Sequence, residues 1–456
     1  MSLQGKHILV GVSGGIAAYK IPELIRLLKK AGADVQVTTT KHALEFVTSL
    51  TLQTVSGHKV YSNVFAAINE HSTEHISLPD WADLMLIAPA TANVLCKMAH
   101  GIADDALTTT FAAMRKPVVI APAMNTNMYE SPATQHAMQS LSQWDNITML
   151  DAASGELACG TTGKGRMQEI DVLMAAVEYA LTPKTMTGKH VLITAGPTQE
   201  AIDPVRYISN ASTGKMGYAL ARACLNRGAN VTLVSGPCQV SLQAWQAFTP
   251  LTVVPVQSAA EMCEAAVNAF PHADMAILCA AVADFTPCHT ADKKIKKQPG
   301  QTSMTIELTT TTDIAATLGK VKGENGKRKT ENGKLKTESG KGKGENGKGK
   351  GENGKVKGEN GKGKGENGKR KGESGKGRSE KIVVGFALET HDEQANALRK
   401  LQSKNLDMIV LNSLQDQGAG FGVDTNKVTL LYADGTKKDL PLLLKQEVAD
   451  VIIDSI

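Results

Sequence analysis

The chain has 456 residues, 42% of them hydrophobic and 21% charged, and a formal net charge of +5. No apolar run approaches the roughly 20 residues that cross a bilayer, and residues 1–6 run straight into the strand-like His7–Val12 without room for an export signal, so two or three cytoplasmic domains are expected. The seven cysteines are odd in number, scattered and without a C-x-x-C pair, which argues against a disulfide framework and a zinc site.

In the first part of the chain strand-like and helix-like segments alternate, the pattern of a parallel sheet covered by helices. His7–Val12 leads through Ser13-Gly14-Gly15 into a helix expected over Ile16–Lys30, and further strands are expected at Asp34–Thr39, Leu84–Ala88, Val118–Ala121 and Ile147–Leu150. Ligands of such sheets bind outside the carboxyl ends of the strands. The polar clusters fall there: Ser13-Gly14-Gly15, Thr38-Thr39-Thr40, Ala90-Thr91-Ala92-Asn93 and Ala123-Met124-Asn125. GVSGGIAAYK has neither the G-x-G-x-x-G spacing of a dinucleotide site nor a Walker lysine, so a single phosphate on a short glycine turn fits better. Ser154–Arg166 is a glycine-rich loop around Cys159 with no core pattern, where a cysteine is poorly explained as packing.

Residues 182–188 read as a linker. Val191–Thr194 is a short buried strand ended by Gly196 and Pro197, and Ser209-Asn210-Ala211-Ser212-Thr213-Gly214-Lys215-Met216-Gly217 opens the helical pattern that follows. A strand, a loop and a helix N-terminus make an anion site, with Gly214 and Gly217 admitting a ligand to the backbone. Strands are expected at Asn230–Val234, Thr252–Val256 and Ala276–Ala281, with a helix over Ala259–Phe270. Asp284 then precedes the cluster Lys293-Lys294-Ile295-Lys296-Lys297. An acid beside several lysines suits a nucleoside triphosphate with magnesium, although such clusters are commonly solvated surface.

Between a helix expected over Asp313–Leu318 and a strand over Lys381–Phe386, a seven-residue unit of the type VKGENGK occurs eight times, from Val321 to Lys376. Each copy carries two lysines and one glutamate, so the positive charge resides here and the rest of the chain is mildly acidic. Glycine-rich and almost free of apolar residues, the tract has no coiled-coil seam and is expected to be disordered. Without aromatic residues to stack on bases, its binding to nucleic acid is expected to be weak and salt-sensitive.

The string TAGPT, DPVRYISN and STGKMG resembles the start of the phosphopantothenate–cysteine ligase domain, which in bacteria is fused behind a phosphopantothenoylcysteine decarboxylase. GVSGGIAAYK, HISL before WADLMLIAPATAN, PAMN, and ACG with GRM resemble the flavin-containing cysteine decarboxylases over nearly all of residues 1–180. The resemblance implies a flavodoxin-like decarboxylase over 1–181 and a Rossmann-like ligase over 189–456, interrupted by the insert 321–376. For the first domain it implies FMN at Ser13, Gly14, Gly15, Thr39, Thr91, Asn93 and Met124, with Asn125 on the substrate carboxylate. It also implies His75 as the active-site histidine and Cys159, on a flap, as the proton donor; Thr161 and Lys164 depart from the aspartate and proline usual in that flap.

For the second domain the resemblance implies CTP at Leu278, Cys279, Ala280, Asp284, Lys294, Thr312, Asp313, Ile314, Ala315, Phe386, Lys400 and Lys404. Asn210 would hold the acyl cytidylate, with Arg206 a second candidate in that pocket, and the sequence identifies no ligands for magnesium. Homo-oligomers, a trimer through the first domain and a dimer through the second, are implied in the same way. A dinucleotide-dependent oxidoreductase remains the alternative suggested by the glycine turns, and a bound flavin chromophore separates the two.

Overall fold

The computed structural model describes residues 3–65, 73–157, 160–323, 381–389, 391–413, 418–420 and 422–456. Cys159 and the repeat tract beyond residue 323, with the disorder expected of it, lie outside the described residues.

The first half is a five-stranded parallel sheet of β1 (His7–Val12), β2 (Asp34–Thr39), β3 (Leu84–Ala90), β4 (Val118–Pro122) and β5 (Ile147–Met149), in the order β2-β1-β3-β4-β5. Successive residues of β1 go to opposite cores: Ile8 and Val10 pack with Leu24, Leu28 and Leu173, whereas Leu9 packs with Leu95 and Leu107. Burial on both faces is why the strands read as continuous apolar runs. The helix expected over Ile16–Lys30 is broken: a 3-10 turn covers Ile16–Lys20 and the α-helix starts at Ile21. Pro22 has no N–H to donate and suits only the first turn of a helix, so the α-helical ladder cannot run through it. A hairpin of β6 (Ala153–Glu156) and β7 (Thr162–Arg166) leaves the sheet before the last helix, Ile170–Leu181.

Residues 182–188 are tied down. Met186 is buried, and Lys184 donates to carbonyls at the ends of two helices, Tyr179 in the last turn and Thr182 at the cap of one and Asn226 of the other. Cations at helix carboxyl ends are favoured by the unsatisfied carbonyls there.

The second half begins with β8 (His190–Ala195), followed by a ribbon of β9 (Gln199–Ala201) and β10 (Tyr207–Ser209). Then come β11 (Asn230–Ser235), β12 (Leu251–Pro255), β13 (Met275–Leu278), a ribbon of β14 (Phe285–Pro287) and β15 (Leu308–Thr310), β16 (Ile382–Glu389) and β17 (Met408–Ser413). The chain closes with β18 (Thr425–Asn426), β19 (Val428–Tyr432), β20 (Lys437–Asp439) and β21 (Leu443–Leu444). The main sheet runs β12-β11-β8-β13-β16-β17-β19-β20, parallel through β17, with β19 and β20 added antiparallel at one edge. Its first six strands follow the doubly wound dinucleotide-fold order, in which the crevice opens beside the first strand, here between β8 and β13.

The helix expected over Asp313–Leu318 starts at 314 and is still helical at 323, the last described residue there, so Val321, Lys322 and Gly323 belong to the fold and not to the insert. Lys322 is buried and pairs with Asp407 at 2.6 Å, which gives those residues a packing partner that the repeat pattern does not suggest.

Candidate active sites

A cavity of about 1120 Å³ opens at the carboxyl edge of the first sheet, lined among others by Gly14, Gly15, Thr40, Thr91, Asn93, Met124, Asn125 and Arg166. The switch between β1 and β3 is where a flavodoxin-order sheet takes its ligand. Ser13 lies behind the wall, fully buried; its Oγ donates to the Pro89 carbonyl at 2.7 Å and accepts from the Thr91 N–H at 3.0 Å. It thus clamps the ends of β1 and β3 together, and Thr39 is likewise buried outside the wall.

Thr40 lines the cavity, and its buried Oγ1, like those of Thr38 and Thr39, has no hydrogen-bond partner among the described residues. Buried hydroxyls are normally satisfied, so this end of β2 fits a polar ligand such as the ribityl phosphate chain of a flavin mononucleotide. The rim carries Lys20, paired with Glu169 at 2.9 Å, and Lys97, paired with Asp104 at 2.7 Å. The hydrogen bond from Lys20 holds the Glu169 carboxyl below its ordinary pKa against the opposing effect of burial.

The β6–β7 hairpin covers one side, with Glu156, Leu157, Gly165 and Arg166 on the wall. Met124 N–H donates to the Gly165 carbonyl at 2.9 Å, and a Cβ at Gly165 would stand 2.3 Å from the Met124 carbonyl oxygen. Only glycine lets the hairpin lie this close. Lys164, where the resembling family usually has proline, donates to Asp151 at 3.0 Å and lies 5.3 Å from the centre of the Tyr129 ring, fastening the same strand. Asn125 combines a wall position with a capping role, its Oδ1 accepting from the Asn127 N–H at 2.9 Å. His75 is half-buried on the helix Glu74–Trp81 and does not line the cavity of its own chain.

The second cavity, about 640 Å³, lies at the switch between β8 and β13. Its wall contains Asn210, Leu278, Cys279, Ala280, Asp284, Thr312, Asp313, Ile314, Ala315, Phe386, Lys400 and Lys404, all expected from the sequence. The Asn210 amide nitrogen donates to the carbonyls of Ala281 (3.2 Å) and Val282 (3.0 Å), which fixes the side chain just past β13. Asp313 caps the helix 314–323 by accepting from the Ala316 N–H at 2.9 Å, and pairs with Lys404 at 2.8 Å. Burial raises the pKa of its carboxyl, but the Lys404 hydrogen bond and the capped N–H groups outweigh that and hold it below the ordinary value. Lys400 pairs with Glu389 at 2.6 Å.

Two expected residues are not on this wall. Arg206 turns to the buried Asp203, at 3.0 Å through Nε, and to the Ile295 carbonyl at 2.6 Å. Although burial raises the Asp203 pKa, Arg206 and the N–H groups of Val205, Ile295 and Arg206 hold it well below the carboxylate range. A buried carboxylate needs such partners, and this one takes the guanidinium away from the pocket. Lys294 is exposed on the loop that this clamp pins to the β9–β10 ribbon, also outside the wall. Gly217 does not admit a ligand either: a Cβ there would come 2.5 Å from the Ala195 Cβ, so the glycine lets the helix Lys215–Asn226 pack on β8.

Sequence reasoning missed Lys215, Asn412, Asn426 and Lys445, which share the wall. Lys215 stands inside the quoted STGKMG string, but nothing local marks Lys445 or the two asparagines.

The flavoprotein family model matches residues 1–182, and that of the DNA/pantothenate metabolism flavoprotein C-terminal domain matches 186–328 and 372–456. The chain is 43% identical to the coenzyme A biosynthesis bifunctional protein CoaBC of Bacillus subtilis, across 100% of this chain and 97% of that protein. It is 41% identical to the protein of the same name from Vibrio vulnificus, across 100% and 98%. A cysteine/cysteine sulfinic acid decarboxylase from an unknown prokaryotic organism is 43% identical across 90% of this chain and 98% of its own. Matched from end to end in this way, the chain belongs to the family of coenzyme A biosynthesis bifunctional proteins.

Proposed function

We propose that the chain catalyses two successive steps of coenzyme A biosynthesis. In the second cavity 4′-phosphopantothenate is joined to cysteine at the expense of CTP, and in the first the resulting phosphopantothenoylcysteine is decarboxylated to 4′-phosphopantetheine with FMN. The observation that carries this reading is that each half places a cavity at the switch point of its own sheet, within a chain whose two family matches occur in that order.

A carboxylate acylates an amine only after its oxygen becomes a good leaving group. Attack of the phosphopantothenate carboxylate on the α-phosphorus of CTP forms the acyl cytidylate and releases pyrophosphate; the cysteine amine then displaces CMP and loses a proton. Lys400 and Lys404 offset the charge of the polyphosphate, and Ile314 and Ala315, which open the helix 314–323, line the same cavity. Asn210, held by two backbone carbonyls, orients the acyl cytidylate, and Lys294, outside the wall, is the cation that its loop would bring to the phosphates. Asp284 would hold the magnesium that accompanies the triphosphate; among the described residues no group of three His, Cys, Asp or Glu is placed to hold a metal on its own.

In the first cavity Gly14, Gly15, Thr91, Asn93 and Met124 hold the flavin, with Ser13 and Thr39 supporting them from behind. FMN, when bound, supplies the reversible oxidation of the cysteinyl end that makes loss of its carboxylate possible. Asn125 binds the substrate carboxylate, His75 moves a proton at the thiol end, and Cys159 returns a proton to the product. Since His75 does not line its own chain's cavity, a homo-oligomer that brings it to a neighbouring cavity is part of the proposal. Among the described residues no helix is long and apolar enough to cross a membrane, and we place the enzyme in the cytoplasm.

The test is to incubate purified protein with phosphopantothenate, cysteine, CTP and magnesium and to follow products by mass. Phosphopantetheine is expected, and phosphopantothenoylcysteine should accumulate if the flavin is stripped. Decarboxylation of free cysteine without CTP would move the first cavity to the activity for which the third relative is named. No product in either assay would overturn the reading.

A further inference from the structure

Lys445 opens the helix Lys445–Asp454 and is only 8% exposed, yet it lines the second cavity. Its ammonium donates to the carbonyl oxygens of Gly420 at 3.0 Å and Val423 at 2.6 Å. An ammonium has three hydrogens, so one is left without an acceptor among the described residues. Among the described residues no carboxylate stands within ion-pair distance of it: the nearby Asp424 is taken by Lys215, at 2.6 Å, which lies on the same wall. Cys279, also on the wall, does not supply the missing charge, because burial pushes its thiol up to about 12. Two cations therefore share one carboxylate, and the more buried of them has only neutral partners. Burying a charge without a counter-ion is unfavourable, and neutral carbonyls repay only part of it.

We propose that Lys445 binds a phosphoryl oxygen of a ligase substrate, with Lys215 beside it. The inference rests on reading this cavity as the ligase site. Two substrates could bring that group, the nucleotide through its polyphosphate and phosphopantothenate through its single phosphate, and the chemistry of recognition is the same for both.

The experiment is calorimetric titration of the full chain with magnesium CTP, with 4′-phosphopantothenate and with unphosphorylated pantothenate, in the wild type and in Lys445→Met. Loss of a hydrogen-bonded charge should weaken one of the two phosphorylated ligands about ten- to a hundredfold, and that ligand identifies the source. Pantothenate binding should not change. If both phosphorylated ligands bind within about twofold of wild type, Lys445 only anchors the Gly420–Val423 backbone and the proposal is wrong. If wild type binds neither, the ligase reading falls first and takes this inference with it. Thermal melting and decarboxylation of supplied phosphopantothenoylcysteine report folding. Should Lys445→Met be unfolded, Lys445→Gln, which retains a donor without the charge, decides in its place by the same criteria.

Discussion

Asp407 grips Lys322 with both carboxylate oxygens, at 2.6 and 2.7 Å, and one of the same oxygens accepts the Val383 N–H at 2.7 Å. Lys322 stands in the first copy of the lysine-rich repeat and Val383 follows the last, so one carboxylate joins the two ends of the insertion. Asp407→Ala would leave the Lys322 ammonium buried without a counter-charge. We expect a loss of about 2 to 3 kcal/mol, read from urea unfolding against wild type, with the larger loss in the second domain. No change would mean that the pair is solvated.

The family match leaves 329–371 uncovered, and Lys322 must stay. Replacing 329–371 by a short Gly-Ser linker should keep both activities within about threefold, since loop-closure entropy changes by only roughly 2 kcal/mol for a tenfold change in length. Parallel assays across a salt series check this. Loss of CTP binding would show that the lysines of the repeat take part in the site.

Gly165→Ala places a methyl group against the Met124 carbonyl oxygen, so the β6–β7 hairpin must move off the loop that ends in Asn125. Flavin absorbance should be retained while decarboxylation falls at least about tenfold, a loss of roughly 1.4 kcal/mol in transition-state binding. His75→Asn should also keep its flavin and lose decarboxylation. In Cys159→Ser the oxidised, decarboxylated thiol product should accumulate, detectable by mass.

Lys294→Gln should slow amide formation by about a hundredfold or more, in keeping with the 3 to 4 kcal/mol of a well-placed donor, and leave decarboxylation of supplied phosphopantothenoylcysteine intact. The structure gives the prediction an internal comparison. Arg206→Ala releases the loop that carries Lys294 from its clamp on Asp203, so it should reproduce part of the same loss. Normal ligation in Lys294→Gln would return the lysine cluster to solvated surface.

Burial pushes the Lys184 ammonium down from 10.5 to about 8. Between those two values the unfolded chain holds a proton that the folded chain has released, so this group's linkage raises stability as pH climbs from about 8 to about 10.5, and contributes no slope below. Thermal melts of wild type and Lys184→Met over this range should differ in slope, with the wild type gaining relative to the variant as pH rises. Parallel curves would place the ammonium in solvent.

The sequence by itself determined the two alternating α/β halves and the polar loops at the carboxyl ends of their strands, because strand periodicity and turn residues are local signals. Through the family resemblance of its motifs it also pointed to most of the residues that the structure gathers on the wall of the second cavity. Only the tertiary structure decided where long side chains go. Arg206 looks like a pocket residue until Asp203 is seen buried beside it, and Gly217 looks like a ligand turn until Ala195 is found against it. The repeat pattern starts at Val321, yet the helix continues to 323 because Asp407, far along the chain, receives Lys322. Lys445 joins the site for the same reason: a buried ammonium takes its role from the carbonyls and charges that distant elements bring to it, and no local pattern records them.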